Sequence, residues 1–241
     1  MMRIINFAKR NLKEIIRDPL SLIFSILLPL FLLFLFQQIE IPGDNYKIEN
    51  FAPGIVIFSF GFLTLFTATL VSKDYCGQFL IRLSTSPMKE KEYILGYILA
   101  ILPILLIQNI LFYGLGIVYG LKINIYLILS IIVSIPISIL FITLGILIGI
   151  SVSDKTAPGL SSVLVQLIVF TSGMYFPSKM LGKGFRVICK ILPFESGLNI
   201  LKSTLNATNI ELISSIIIFT IYTVVVFIIT IITFKRKINN H

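Results

Sequence analysis

Long apolar stretches alternate with short polar ones along almost the whole chain. Six apolar runs stand out, at about 20–38, 51–72, 93–119, 125–152, 160–176 and 213–234. Each approaches the roughly 20 helical residues needed to cross a hydrocarbon layer of about 30 Å. Pro29, Pro103 and Pro136 sit inside their runs, as membrane helices tolerate. The polar breaks read as connections. Pro42-Gly43-Asp44-Asn45 makes a turn within 40–50, a charged stretch fills 73–92, and shorter loops occupy 120–124 and 153–159.

Two segments depart from this pattern. Between Arg3 and Arg17, Ile5, Ala8, Leu12, Ile15 and Ile16 recur at helical spacing on one side. Arg10, Lys13, Glu14 and Arg17 fall mostly on the other, with Glu14 one turn from Arg10. This predicts an amphipathic helix over 1–18, lying in the interface of an anionic leaflet. Asp18-Pro19 ends it. Between 177 and 208 the apolar pieces are short, broken by Lys179, Lys183, Arg186, Lys190, Pro193 and Glu195. Short interfacial or re-entrant helices are expected there. The fold class is thus an all-α membrane protein: an N-terminal interfacial helix, then six transmembrane helices in one domain over 19–241, with re-entrant helices before the sixth span.

Composition agrees with this picture. Of 241 residues 56% are hydrophobic and only 13% charged, whereas soluble domains carry about 25% charged residues. The net charge of +9 does not point to nucleic acid, because Lys and Arg flank apolar runs instead of forming one basic face. The clusters at Arg3 to Arg17 and Lys235-Arg236-Lys237 predict cytoplasmic termini. The basic group after the fifth run is an exception to that bias. Gln37-Gln38-Ile39-Glu40 after the first run offers no small-residue cleavage site for a signal peptide. Trp is absent and Tyr supplies the interfacial aromatics. Cys76 and Cys189 fall on opposite sides of the predicted bilayer and have no metal-site spacing.

Reactive chemistry is scarce. The six runs contain no Asp, Glu, Lys, Arg or His, although ion-coupled transporters normally bury such groups at mid-membrane. Gln108 and Asn109 in the third run and Gln166 in the fifth are the polar candidates for lining a path, or else for hydrogen bonding between helices. The glycine pairs Gly116/Gly120 and Gly145/Gly149 would let two helices approach closely, within the chain or between copies. Gly182-Lys183-Gly184 lacks the remaining features of a phosphate loop, so any ATP must be bound by another chain.

In the loop after the second run stand Gly77, Leu80, Leu83 and Ser86-Pro87, followed by Met88-Lys89. After the fifth comes Ser172-Gly173-Met174-Tyr175-Phe176-Pro177, and later Pro193-Phe194-Glu195-Ser196-Gly197 with Lys202. In content, order and placement these resemble the type-2 permease family of ABC exporters, over nearly the whole chain. Departures are the short charged run Lys73-Asp74, Gln78 for a usual threonine, the lack of an expected proline near Leu181, and Leu192 for a usual asparagine. The resemblance implies a permease dimer in a bacterial plasma membrane, with two cytoplasmic ATPase subunits that bind ATP and Mg. No cofactor belongs to this chain. The implied coupling segment is 73–92, with Gly77, Phe79, Leu80, Arg82, Leu83, Ser86 and Pro87. Phe79, Leu80 and Leu83 would project as apolar anchors for an ATPase groove, Arg82 would meet acidic groups, and Pro87 would end the helix. Gly173, Pro177, Pro193 and Glu195 mark the re-entrant segment. Export of amphipathic peptides, antibiotics or lipid-like cargo is the implied activity. A membrane scaffold or channel-forming subunit, and more remotely a secondary transporter, are the alternatives.

Overall fold

The computed structural model describes residues 2–39, 43–80, 88–176, 182–208 and 212–239. Among them are nine α-helices and no strand: α1 Met2–Ile16, α2 Pro19–Gln38, α3 Ile48–Cys76, α4 Glu90–Val118, α5 Ile125–Ser151, α6 Ala157–Thr171, α7 Lys183–Ile191, α8 Pro193–Leu205 and α9 Leu212–Asn239. A short 3-10 turn, Asp44–Tyr46, precedes α3. Helices α3, α4 and α9 overrun the apolar segments that predict them at one end or both, because a helix satisfies its own backbone and continues into polar flanks, whereas α6 stops at Thr171, short of its segment's end.

Four helices, α3, α4, α5 and α9, are long and apolar enough to cross a membrane. The apolar stretches Leu22–Gln38 and Ala157–Thr171 are shorter. The 15 residues of α6 rise only about 22 Å. Helix α7 has 9 residues and α8 has 13, about 14 and 20 Å, so neither spans a bilayer.

Helix α3 is the axis of the bundle. It is buried along most of its length and packs against α2, α4, α5, α6 and α8. Gly145 and Gly149 explain how α5 reaches it. An added Cβ would lie 2.5 Å from the Thr64 carbonyl oxygen at Gly145 and 2.6 Å from that of Ala68 at Gly149. The second glycine pair of the sequence is therefore used within the chain, which removes it as a contact between copies. Gly116 packs beside Leu121 and Ala52, and Gly120 turns the chain at φ 99°.

The N-terminal helix corrects an expectation. It does not simply float at an interface but docks on α4 through Phe7, Ala8, Asn11 and Ile15. Phe7 fills the space over Gly96, where an added Cβ would overlap its ring. The apolar stripe splits: Ala8 and Ile15 turn inward, while Ile5 and Ile16 stay exposed.

Candidate functional site

The end of the bundle that carries α1 is organised around one carboxylate. Asp74, in the last turn of α3, is 4% exposed. Arg10 Nη1 donates to both of its oxygens at 2.7 Å, and the Tyr97 hydroxyl of α4 donates to Oδ2 at 2.8 Å. A charge removed from water needs such a partner and further hydrogen bonds. That requirement decides where Arg10 points. The sequence pairs it with Glu14, but Glu14 instead accepts from Arg17 at 3.1 Å. Lys13 remains exposed.

Aromatic rings close around this pair. The Arg10 guanidinium lies 4.1 Å above the Phe79 ring. Phe7 stacks on Phe79 at 6.4 Å and meets Tyr93 and Tyr97 edge-on at 5.6 and 5.0 Å. Tyr93 in turn stacks on Phe234 at 5.8 Å. Residues from α1, α3, α4 and α9 thus meet at one end.

The same contacts correct the sequence-based picture of the loop after α3. Phe79 is packed between Phe7 and Arg10, and Leu80 is fully buried. They do not project outward as anchors; they fasten the start of the loop to α1. Apolar side chains next to an unfilled helix face bury themselves in it before they wait for a partner. Gly77 ends α3 with its N–H on the Lys73 carbonyl, which an added Cβ would approach to 2.9 Å. Gln78 follows at φ 58°, a left-handed position that is uncommon outside glycine. Arg82, Leu83, Ser86 and Pro87 lie outside the described residues. Where the chain resumes, the Lys89 N–H donates to the Glu92 carboxylate at 2.7 Å and caps α4.

The interior polar candidates bind helices together. Gln108 Nε2 reaches Ser25 of α2, 3.3 Å from its Oγ, and Asn109 Nδ2 donates to Ser134 Oγ of α5 at 2.6 Å. Tyr113 and Ser130 add a third link at 2.6 Å. Gln108 and Asn109 are fully buried and face no opening in the single chain. Gln166 differs: it is exposed on the outer face of α6.

At the opposite end, the 3-10 turn clasps the exits of two helices. Asn45 Nδ2 donates to the Met174 carbonyl at 2.9 Å and its Oδ1 accepts from Lys202 Nζ at 2.9 Å. The Tyr46 hydroxyl donates to the Tyr175 carbonyl at 2.8 Å, and Gln37 donates to the Tyr46 carbonyl at 2.9 Å. Phe36 packs between Phe51 at 4.9 Å and Tyr175 at 5.5 Å. Gly173 makes the turn after α6 at φ 78°, and Pro177 lies outside the described residues. Pro193 is buried as first residue of α8. Burial lowers the Lys202 ammonium from its ordinary 10.5 to about 8, against the pull of Glu195. Glu195 Oε2 is buried without a hydrogen-bond partner.

The sequence marks Asp74 only as part of a charged run and Asn45 only as part of a turn, and does not mark Tyr97 at all. The available signal was Asp74 itself, an acid two residues after the second apolar run. Among the described residues no group of three His, Cys, Asp or Glu could hold a metal.

A family profile described as ABC-2 type transporter matches residues 3–206. That range takes in α1, the Arg10–Asp74–Tyr97 group, the loop after α3, and both Asn45 and Lys202. No curated protein matches the chain.

Proposed function

This chain belongs to the ABC-2 type transporter family, and from that premise we propose that it is the permease of an exporter driven by a separate ATPase. A multi-pass membrane permease subunit of an ABC transporter is what the family membership establishes. The finer reading has α2 and α6 crossing the bilayer beside the four longer helices, which makes six spans and puts both termini in the cytoplasm. The partner ATPase binds ATP and Mg. Two permease copies enclose the path, and an amphipathic or apolar cargo leaves between them.

The observation that carries this reading is the anchorage of residues 73–80. The loop in which the family resemblance places ATPase coupling begins on Asp74, held by α1 through Arg10 and by α4 through Tyr97. A push on this loop therefore moves α1, the end of α3 and the start of α4 as one block. With Phe79 and Leu80 turned inward, Arg82 and Leu83 are the docking residues left to the ATPase.

Losing a buried anchor costs on the order of 2 kcal/mol, a quarter of the roughly 8 kcal/mol in a micromolar contact. Leu83→Asp is expected to lose co-purification with the co-expressed ATPase subunit while still inserting. Lys122→Gln, an exposed position at the opposite end, is the control. Glu92 is unsuitable for that purpose because it caps α4. Equal association of Leu83→Asp, Lys122→Gln and wild type would remove coupling from this loop. Transport in vesicles on an ion gradient without nucleotide would sink the exporter reading.

A further inference from the structure

Two hydrogen bonds fix where α2 and α4 meet. Gln108 reaches Ser25 in the interior, and Gln38 Nε2 donates to the Tyr119 hydroxyl at 2.9 Å at the end away from α1. Between these contacts the helices part and leave a lateral groove of about 780 Å³. Its walls are apolar throughout, with Phe24, Leu27, Phe31 and Phe34 on α2 facing Ile110 and Gly114 on α4. Phe24, Phe31 and Ile110 are more than half exposed. No atom lies within 4 Å of a Cβ added at Gly114.

The dimensions point to one kind of occupant. From Phe24 to Phe34 the helix rises about 15 Å, which is half of a hydrocarbon core of about 30 Å. The groove thus has half the thickness of the core, and because α2 runs from Pro19 to Gln38 it is centred on the middle of that helix. Above it the Gln38–Tyr119 pair offers an exposed amide and phenol at the level of lipid head groups, where tyrosine concentrates. A wall without polar side chains beneath a polar bridge matches a molecule with an apolar tail and a polar head.

A helix of a second copy fits less well. Membrane helices that pack on one another use small residues and polar contacts, whereas this groove presents Phe and Leu with a single glycine. The outer face of α6, with Ser162 and Gln166 exposed, is the better surface for that purpose. We propose that the α2–α4 groove is a phospholipid site, its acyl chain along Phe24 to Phe34 and its head group against Gln38 and Tyr119. The site requires only that α2 and α4 stand in a bilayer, and it is independent of ATPase coupling.

Native mass spectrometry of the purified chain with added palmitoyl-oleoyl phosphatidylcholine tests it. Wild type is expected to retain one phospholipid per chain. Gly114→Leu puts a side chain into the open groove and should lower occupancy about tenfold, and Tyr119→Phe should lower it less. Gly159→Leu also enters open space, but on α6, and should leave occupancy unchanged. Thermal unfolding checks that each variant is folded. Absence of retained lipid in wild type overturns the proposal, as does equal retention by Gly114→Leu. A third arm carries Phe31→Cys in a chain with Cys76→Ser and Cys189→Ser. Disulfide-linked dimers through position 31 would give the groove to a second copy and overturn the lipid site.

Discussion

The two ends of the bundle are tied in different ways. At the α1 end a nearly inaccessible carboxylate is held by a guanidinium and a phenol, under a roof of four aromatic rings. At the opposite end the links run from an asparagine and a tyrosine of the 3-10 turn to a lysine of α8 and two backbone carbonyls after α6. Breaking a buried ion pair leaves an uncompensated charge, whereas each neutral hydrogen bond contributes only about 1 kcal/mol. The first end is built to stay closed and to move as a block. The second is built to come apart in small steps. Under the ATPase coupling proposed above, a push at the α1 end would pass through the rigid end before it reached the yielding one.

Removing one partner of the ion pair should produce the largest effect. Arg10→Leu leaves Asp74 buried with only Tyr97, and we expect a loss of about 3 kcal/mol. Asp74→Asn should cost less, because Arg10 is 35% exposed and can turn to water. Chemical denaturation in detergent measures both, and the double variant should recover part of the loss. If Asp74→Asn is the more damaging of the two, the carboxylate is not the group that makes this end rigid.

Gly149→Ala comes next. It forces α5 away from the Ala68 carbonyl near the same end, for about 2 kcal/mol by overpacking. Gly114→Ala, on α4, meets open space and should be neutral within error in the same assay. At the far end, Asn45→Ala removes the clasp on Met174 and Lys202, with an expected cost of about 1 kcal/mol. It should also raise proteolysis within 43–47 while leaving the α1 end intact. A loss as large as that for Arg10→Leu would erase the contrast between the ends.

One further effect concerns pH. Lys202 sits at about 8 in the fold and at its ordinary 10.5 when unfolded, so the unfolded chain holds the proton more tightly. Stability should therefore rise as pH increases from about 8 toward 10.5, and this gain should vanish as pH falls through 8. Circular-dichroism melts of wild type against Lys202→Met read the difference. A rise of the same size in Lys202→Met would assign it to another group.

Apolar periodicity made the long helices legible, because bilayer-length runs such as Ile125 to Ser151 have few other uses. Their pairing was not legible. Gly145 and Gly149 announced a close approach, yet nothing in the spacing said that α3 would be the partner. The α1 helix was readable as amphipathic but not as docked, since Phe7 finds its place only when Gly96 leaves a space for it. The loop residues misled for a related reason. Phe79 and Leu80 looked like anchors for a partner, because periodicity cannot tell an outer surface from a neighbouring helix of the same chain. Gln108 and Asn109 were visible as unusual, but their partners Ser25 and Ser134 come from helices far away in sequence.

The Arg10–Asp74 pair also has a place in time. Its members are 64 residues apart, so a ribosome adding about 5–20 residues per second needs roughly 3 to 13 seconds to make the second after the first. Tyr97 follows 23 residues later. Throughout that interval Arg10 has no Asp74 to pair with and stands among Arg3, Lys9, Lys13 and Arg17, the kind of basic cluster that biases which way a hydrophobic segment enters a membrane. Only when α3 and α4 have been threaded can the carboxylate claim it. If the termini are cytoplasmic as proposed, the residue would serve as an orientation signal while the chain is being made; once it is complete, it is a structural strut.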